Sequence, residues 1–395
     1  MPEQFLHGVE VIEIDDGTRP IQTVKSSVIG LIGTAPDAVV GTFPLNTPVL
    51  LANQPRKAAD LGATGTLKDA VDAIYDQTGA MIVIIRVEAG VDTAATMSNI
   101  VGSSALGTGV HAFLAAENEE KVLPRILCAP GFTGDRPAAA ANPVVAELVG
   151  IAEKLRAVIV ADGPNTNSAD AITWREDWGS PRIYVTDPAV KVWDTTLNQT
   201  VVHPVSARVA GAIAKRDNER GFWWSPSNQV LNGIVGTARP IGFNLSDTNS
   251  AANLLNENEV ATIVLKDGYR LWGNRTCASD PLWAFLSVRR TADMIYESVE
   301  RAFLWAMDRP LSAQLVLDIQ DSVQAYLGSL QARGAILGGK VWLDPELNTP
   351  DQLMAGKLSL DFDIEPPAPL ERLTFRAHRN AGYYEELVNQ VLEAV

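Results

Sequence analysis

The run Thr66-Leu-Lys-Asp-Ala-Val-Asp-Ala-Ile-Tyr-Asp-Gln77, followed shortly by Met81-Ile-Val-Ile-Ile-Arg-Val87, decides the class of the fold. In the first part Leu67, Val71, Ile74 and Tyr75 recur at helical spacing and make one apolar face, while 81–87 is a continuous apolar stretch of strand length. A strand without polar alternation is buried on both faces, the condition of a parallel sheet covered by helices. Outward from this step the alternation repeats. Strands are expected at 28–33, 47–52, 125–129, 157–161 and 182–186, with helices at 144–155, 169–178 and 206–215. The expected fold class is therefore α/β, with a parallel or mixed sheet core and flanking helices. Residues 88–122, rich in Gly, Ser and Ala as in Val101-Gly-Ser-Ser-Ala-Leu-Gly-Thr-Gly109, read as a surface excursion from that core, and the Ala run 138–141 reads as a loop or helix start.

After residue 215 the pattern changes to aromatic loops such as Phe222-Trp-Trp224 and to short strands through 260–276, which places a domain boundary near 275. Two amphipathic helices follow, at 290–307 with Met294, Ile295, Val299, Phe303 and Ala306, and at 311–331. Strands return at 339–344 and 356–364; the second sets Leu358, Leu360, Phe362 and Ile364 against polar neighbours, as a half-buried strand does. Glu365-Pro-Pro-Ala-Pro369 stops it, because proline cannot donate to a ladder, and launches an extended spacer. Beyond lie Leu373-Thr-Phe-Arg-Ala377 and a short amphipathic helix. Near the other end, Val9-Glu-Val-Ile-Glu-Ile14 reads as a strand with no neighbour in sequence to pair with, so its partner is either distant in the chain or another chain. The expected organisation is an N-terminal arm (1–20), an α/β core domain (21–275), a C-terminal α+β domain (276–365) and a C-terminal arm (366–395).

A formal charge of −15 argues against nucleic acid, whose phosphates need a basic face, and against an anionic membrane surface. No apolar run approaches the ~18 residues of a membrane span and no basic-then-apolar leader opens the sequence, so membrane insertion is not expected and folding in a cytoplasm is. Cys128 and Cys277 stand far apart without nearby His or Cys, the pattern of two buried thiols rather than of a disulfide framework or a zinc site.

The search for chemistry yields structural explanations. Gly334-Ala-Ile-Leu-Gly-Gly-Lys-Val341 resembles a phosphate-binding loop, but Val341 stands where a metal-binding hydroxyl belongs, and the run follows a helix and enters a strand, the reverse of the required order. It reads as a glycine helix stop. Gly30-Leu-Ile-Gly33 lacks the third glycine of a dinucleotide fingerprint. Asp361 and Asp363 share one strand face, as acid/base carboxylates can, yet alternate polar residues are also what a solvent face requires. His7, His111, His203 and His378 form no helix-spaced pair, and no Gly-x-Ser-x-Gly elbow occurs. Asp162-Gly-Pro164, at the carboxyl end of a strand, motivates a rival reading as an α/β hydrolase-like enzyme.

The stretch Leu255-Asn-Glu-Asn-Glu-Val-Ala-Thr-Ile-Val-Leu-Lys-Asp-Gly-Tyr-Arg-Leu-Trp-Gly-Asn-Arg-Thr276 resembles the signature of contractile phage tail sheath proteins, above all at Trp272, Gly273, Asn274, Arg275 and Thr276. The resemblance continues through Ser279-Asp-Pro-Leu282, Arg289-Arg-Thr291, Ala355-Gly-Lys-Leu358, Pro366-Pro-Ala-Pro-Leu-Glu371 and the opening His7-Gly8-Val9. It implies a structural, non-enzymatic subunit that needs no cofactor or metal. Such a subunit polymerises with itself as stacked six-membered rings around an inner tube, meets tail tube, baseplate and tail terminator proteins, and contracts to drive the tube through the host envelope. It implies a virion tail location after assembly in the host cytoplasm, and a core likened to subtilisin-like folds, architecturally only, since no matching nucleophile setting occurs. In the family, terminal arms add strands to a sheet of an adjacent subunit; the matching residues here are Val9, Val11, Ile12 and Ile14, and Leu373 and Phe375. Trp272 to Thr276 is expected to serve as a domain-junction motif. A bacteriocin or secretion-type machine is the alternative within the same family.

Overall fold

A computed structural model describes residues 20–394. Its centre is a sheet of β1 (Ile29–Thr34), β2 (Pro48–Ala52), β3 (Met81–Val87), β4 (Ile126–Cys128), β5 (Val158–Asp162) and β6 (Ile183–Thr186), in the spatial order β2-β3-β1-β4-β5-β6. All neighbours pair in parallel except β2, which runs antiparallel to β3 with Pro48 opposite Ile85 and Ala52 opposite Met81. The helices of this body are α1 (Pro55–Ala59), α2 (Leu67–Tyr75), α3 (Thr93–Val101), α4 (Ala116–Glu120), α5 (Pro143–Leu155), α6 (Ser168–Glu176) and α7 (Ser206–Glu219). Ile29, Leu31, Ile82, Ile84, Val158 and Val160 point to one face, where Val71 and Ile74 of α2 and Val209 and Ile213 of α7 cover them. Their neighbours Ile32, Val83, Ile85 and Ile159 point to the other, under Ile100 of α3, Leu148 and Ile151 of α5 and Trp174 of α6. Two covered faces explain why the strands read as unbroken apolar runs.

The stretch 88–122 is a correction to the expected surface excursion. Met97, Ile100, Val110, Phe113 and Ala116 are buried in the second of those clusters, so the segment completes one layer of the core. Its small residues lie in the turns, and the helical apolar spacing between them carries the packing. A second difference is a small sheet of β7 (Val190–Asp194), β8 (Gln199–His203) and β9 (Gly236–Thr237), ordered β8-β7-β9, in the stretch between the strand expected at 182–186 and those expected through 260–276. After α8 (Ala251–Glu257) come β10 (Thr262–Leu265) and β11 (Tyr269–Trp272), an antiparallel hairpin. The chain on either side of that hairpin covers the outer edge of β6: Ala261 N–H donates to Val185 O and Cys277 N–H to Ile183 O, at 3.0 and 2.9 Å.

The C-terminal unit holds α9 (Leu286–Ala302), α10 (Ala313–Ala332), β12 (Gly339–Trp342), α11 (Pro350–Met354), β13 (Asp361–Ile364) and, last, α12 (Gly382–Glu393). Met294, Ile295, Val323, Tyr326, Leu327, Leu330, Ile336 and Val341 form its core. Helix α9 starts at Leu286, earlier than the expected 290, and stops at Ala302 before a turn of 3-10 helix. Helix α10 ends on Gly334, whose φ of +76° lets Ala335 N–H reach back to Leu330 O at 2.9 Å, so the glycine run is a helix stop. The strand expected over 356–364 forms only at 361–364, because Asn348 binds both backbone groups of Ser359: its amide donates to the carbonyl at 2.8 Å and its oxygen accepts from the N–H at 2.9 Å. Residues 21–26, assigned by sequence to the core domain, run instead along this unit: Ile21 and Val24 pack on its core, and Val24 N–H donates to Ser298 Oγ at 3.1 Å.

Helix α9 joins the two units with two different faces. Met294, Ile295 and Val299 face α10, whereas Asp293, Glu297 and Glu300, spaced one helical turn apart, face the α/β body. Arg182, just before β6, holds Asp293 through two hydrogen bonds of 2.7 and 3.2 Å and lies 2.9 Å from Glu153 of α5. Arg125, just before β4, pairs with Glu297, and Arg156 with Glu300 at 2.6 Å. Arg289 adds a 2.7 Å bond to Asp293, and Arg290 forks onto Asp217 of α7 at 2.7 and 2.5 Å. Arg125, Arg182, Arg290, Asp293 and Glu297 are all buried. Burial pulls the Arg125 guanidinium below its ordinary value, against the opposing pull of Glu297. Removing one partner strands the others without water: Asp293→Ala is expected to cost ~3–5 kcal/mol in urea unfolding, and pairing it with Arg182→Met to recover part of that loss.

Candidate functional site

Numbered by its parallel strands alone the main sheet has the order 2-1-3-4-5, with a switch between β1 and β4, the place where folds of this kind bind ligands. The crevice nearby measures about 120 Å³ and is lined in part by Thr66, Asp69, Pro130 and His203. Small-molecule sites run to ~300–1,000 Å³. His203 Nδ1 lies 3.9 Å from Asp69, too long for a hydrogen bond, and His111 pairs with Glu147 at 3.2 Å. His378 is exposed and His7 lies outside the described residues. Among the described residues no group of three or more His, Cys, Asp and Glu side chains could hold a metal ion.

Asp162, the residue behind the hydrolase reading, ends β5 in the interior and ties it to the start of α7. Its carboxylate accepts from Val205 N–H, Ser206 N–H and Ser206 Oγ at 2.8, 2.8 and 2.7 Å, and from Gly131 N–H at 3.3 Å. Burial raises its pKa and those donors oppose the rise. With its lone pairs occupied by the scaffold, it presents no free carboxylate to a substrate. Cys128 and Cys277 are both buried, and burial pushes their thiols up, that of Cys277 to about 12, so neither is a poised nucleophile. Asp363 accepts from Lys340 N–H at 2.7 Å and is exposed.

Trp272 to Thr276 sits where β11, the edge of β6 and the start of α9 meet. Trp272 stacks edge-on to Phe243 with centroids 5.0 Å apart, and its carbonyl accepts from the Asn256 amide at 3.1 Å. Gly273 takes φ +145° against Ala261, where a Cβ would fall 2.8 Å from both Ala261 Cα and Cβ. Its N–H donates to Ser227 Oγ at 3.1 Å, and its carbonyl accepts from the buried Tyr184 hydroxyl at 2.8 Å. Asn274 accepts from Ser225 Oγ through its side chain and from Leu286 N–H, at the head of α9, through its carbonyl at 3.0 Å. Arg275 forks onto Glu371 and stacks on Phe285, 5.0 Å from the ring centre. Buried Thr276 closes on Ala284 O with its N–H and hydroxyl, at 2.8 and 3.1 Å.

The arm residues are brought together with none of this. Val9, Val11, Ile12 and Ile14 lie outside the described residues. Leu373 and Phe375 are 65% and 86% exposed, on a segment without regular structure that leads to α12, where Tyr383, Tyr384, Leu387, Val388, Val391 and Leu392 are exposed as well. What sequence reasoning missed is a sheet able to accept a strand: among the described residues β12 and β13 pair only with each other, Gln320 and Gln324 of α10 bind the backbone along the outer edge of β12, and the outer edge of β13 is left open. At the motif, Gly273→Ala is expected to cost ~2 kcal/mol or more in urea unfolding, from a strained φ and a backbone clash, while Gly242→Ala, with nothing within 4 Å of its new Cβ, stays within ~0.5 kcal/mol of the parent.

Three family models match the chain: the phage tail sheath protein central domain over residues 66–277, the phage tail sheath C-terminal domain over 278–379, and the tail sheath protein Gp18 domain III N-terminal region over 26–87. The tail sheath protein of Escherichia phage P2 is 38% identical, covering 98% of each chain. The major tail sheath protein of Serratia phage KSP20 is 34% identical over 98% of each. Among solved structures, the anti-feeding prophage helical sheath in its contracted state superposes with a TM-score of 0.72 at 19% identity, covering 96% of this chain and all of that one. The sheath complex of an extracellular contractile injection system, also contracted, gives 0.69 at 18% identity, with 97% and 100% coverage. End-to-end identity with sheath proteins and a shared fold leave one assignment: the chain belongs to the phage tail sheath protein family.

Proposed function

We propose that the chain is the polymerising subunit of a contractile tail sheath, stacking as six-membered rings around an inner tube between a baseplate and a tail terminator. Contraction then drives the tube through the host envelope. In this reading the protein assembles in the host cytoplasm and resides in the virion tail. The observation that carries it is a donor and an acceptor on one chain. Residues 366–394 expose Leu370, Leu373, Phe375 and the apolar side of α12, whereas among the described residues the β12–β13 sheet keeps the outer edge of β13 unpaired. Exposed apolar chain of that extent needs a second surface, and main-chain pairing at an open edge supplies one. Because the two surfaces differ, each copy can accept while it donates, which is how heterologous contacts extend into a helical tube. The N-terminal strand read at Val9 to Ile14 is the second donor in this proposal.

Trp272 to Thr276 acts as the junction that keeps the two units in register while the arms carry the linkage. The core belongs to this proposal as an architectural relative of subtilisin-like folds, on the ground of its doubly covered sheet. Similarity to an extracellular contractile injection system also supports the second reading, a phage-derived particle in place of a complete phage. Neighbouring genes for a capsid distinguish the two.

Electron microscopy of the concentrated protein in negative stain is expected to show long striated tubes; only small discrete particles would count decisively against the proposal. Deleting residues 1–16, or truncating after Arg372, is expected to leave the free energy of urea unfolding within ~0.5 kcal/mol of the parent and to abolish tubes.

A further inference from the structure

We propose that Arg275 and Glu371 form a latch that fixes where the C-terminal arm leaves the body, and with it the reach of that arm toward a neighbouring copy. The neighbour comes from the sheath reading above; the latch rests on geometry within a single chain. Its two members lie in the two stretches that the sequence singled out separately, Trp272 to Thr276 and Pro366 to Glu371.

After β13 the chain is still held by the inner sheet, since Leu337 N–H donates to Glu365 O at 2.7 Å. It then crosses Pro366, which is buried, and Pro367 and Pro369, which are half-buried, before Glu371 meets the Arg275 fork. Arg275 Nη2 donates to Glu371 Oε2 at 2.8 Å, and Nε lies 3.2 Å from both carboxylate oxygens. From Arg372 to Ala394 every residue is exposed. The path packed against the body ends at the pair.

Arg275 is prepared for this contact. Its guanidinium stacks on Phe285, and residues 275 and 285 are bridged through their backbones. Glu259, on the wall of the same crevice, is already engaged by Arg175 at 2.7 Å, which leaves the Arg275 fork to Glu371. The hydrogen bond to Glu371 raises the Arg275 pKa further, so the cation persists at any working pH. The side chains remain 38% and 33% exposed, so the pair is a modest one: with its ring stack it favours the closed over the open arm by about five- to tenfold. Opening it moves the root of the arm back to Glu365 and frees a proline-stiffened stretch that spans ~19 Å at ~3.1 Å per residue. That change in reach alters the effective concentration of the arm at a neighbour's sheet edge.

Trypsin reads the latch directly, because the arm carries Arg372, Arg376 and Arg379. Cleavage after Arg372 draws Glu371 into the protease cleft and so requires an open latch; cleavage after Arg379 does not. In the full-length protein below its polymerisation concentration, Arg275→Gln is expected to raise the Arg372 cut about five- to tenfold relative to the Arg379 cut. An unchanged ratio overturns the latch. Glu371→Gln, a change on the exposed strap that leaves the core untouched, must give the same rise after normalisation to free peptides spanning 366–383 with and without the substitution. Tube formation by Arg275→Gln is expected to lag the parent by a similar factor at equal concentration. Raised cleavage with unaltered assembly overturns the positioning role. If truncation after Arg372 leaves tubes intact, the arm reading fails while the cleavage result still decides the latch.

Discussion

The structure depends on a seam of buried charge. Helix α9 turns its apolar side toward α10 and meets the α/β body through carboxylates that reach Arg125, Arg156 and Arg182 at the amino ends of the strands. An apolar interface between two units tolerates sliding, because contact area changes little with small displacement. Hydrogen-bonded forks do not, because each loses its geometry within a fraction of an ångström to an angle or distance change. The choice of charge over oil at this boundary thus specifies one relative placement of the two units at little net gain in stability.

How much of this was legible follows from which forces act locally. The strands of the main sheet could be read because burial on both faces leaves a run such as Met81 to Val87 no other environment, and α2 because Leu67, Val71 and Ile74 keep their spacing. Residues 88–122 misled because glycine and serine in the turns hide the helical spacing of Met97 and Ile100. The strand before Ile364 was overestimated because alternation records a half-buried face but not a partner, and Asn348 had taken the backbone of Ser359. Asp293, Glu297 and Glu300 were visible as a charged helix face, which most often faces water; their partners sit far away in sequence, so only the fold could reveal the seam.

The candidate sites divide in the same way. Trp272 to Thr276 was legible as a unit through family resemblance, and the individual tasks of its members, from the Gly273 contact with Ala261 to the Arg275 fork, required coordinates. Asp162 shows the opposite case: a polar residue at a strand end invites a catalytic reading until its acceptors are found occupied by Val205 and Ser206. In a protein whose work is assembly, a buried carboxylate is more often a fastener than a reagent.

Residues 21–26 lie along α9 and α10, and the C-terminal spacer departs from β13 toward Arg275, so both ends of the described chain issue from the smaller unit and its junction. A polymer tied together at those ends would concentrate all its cross-links in that layer, with the six-stranded body as a pendant group outside the load path. The mesh size would then be a property of the small unit alone. Insertions in the large body could enlarge or decorate the particle without changing its lattice, much as side groups on a polymer backbone leave the repeat distance unchanged.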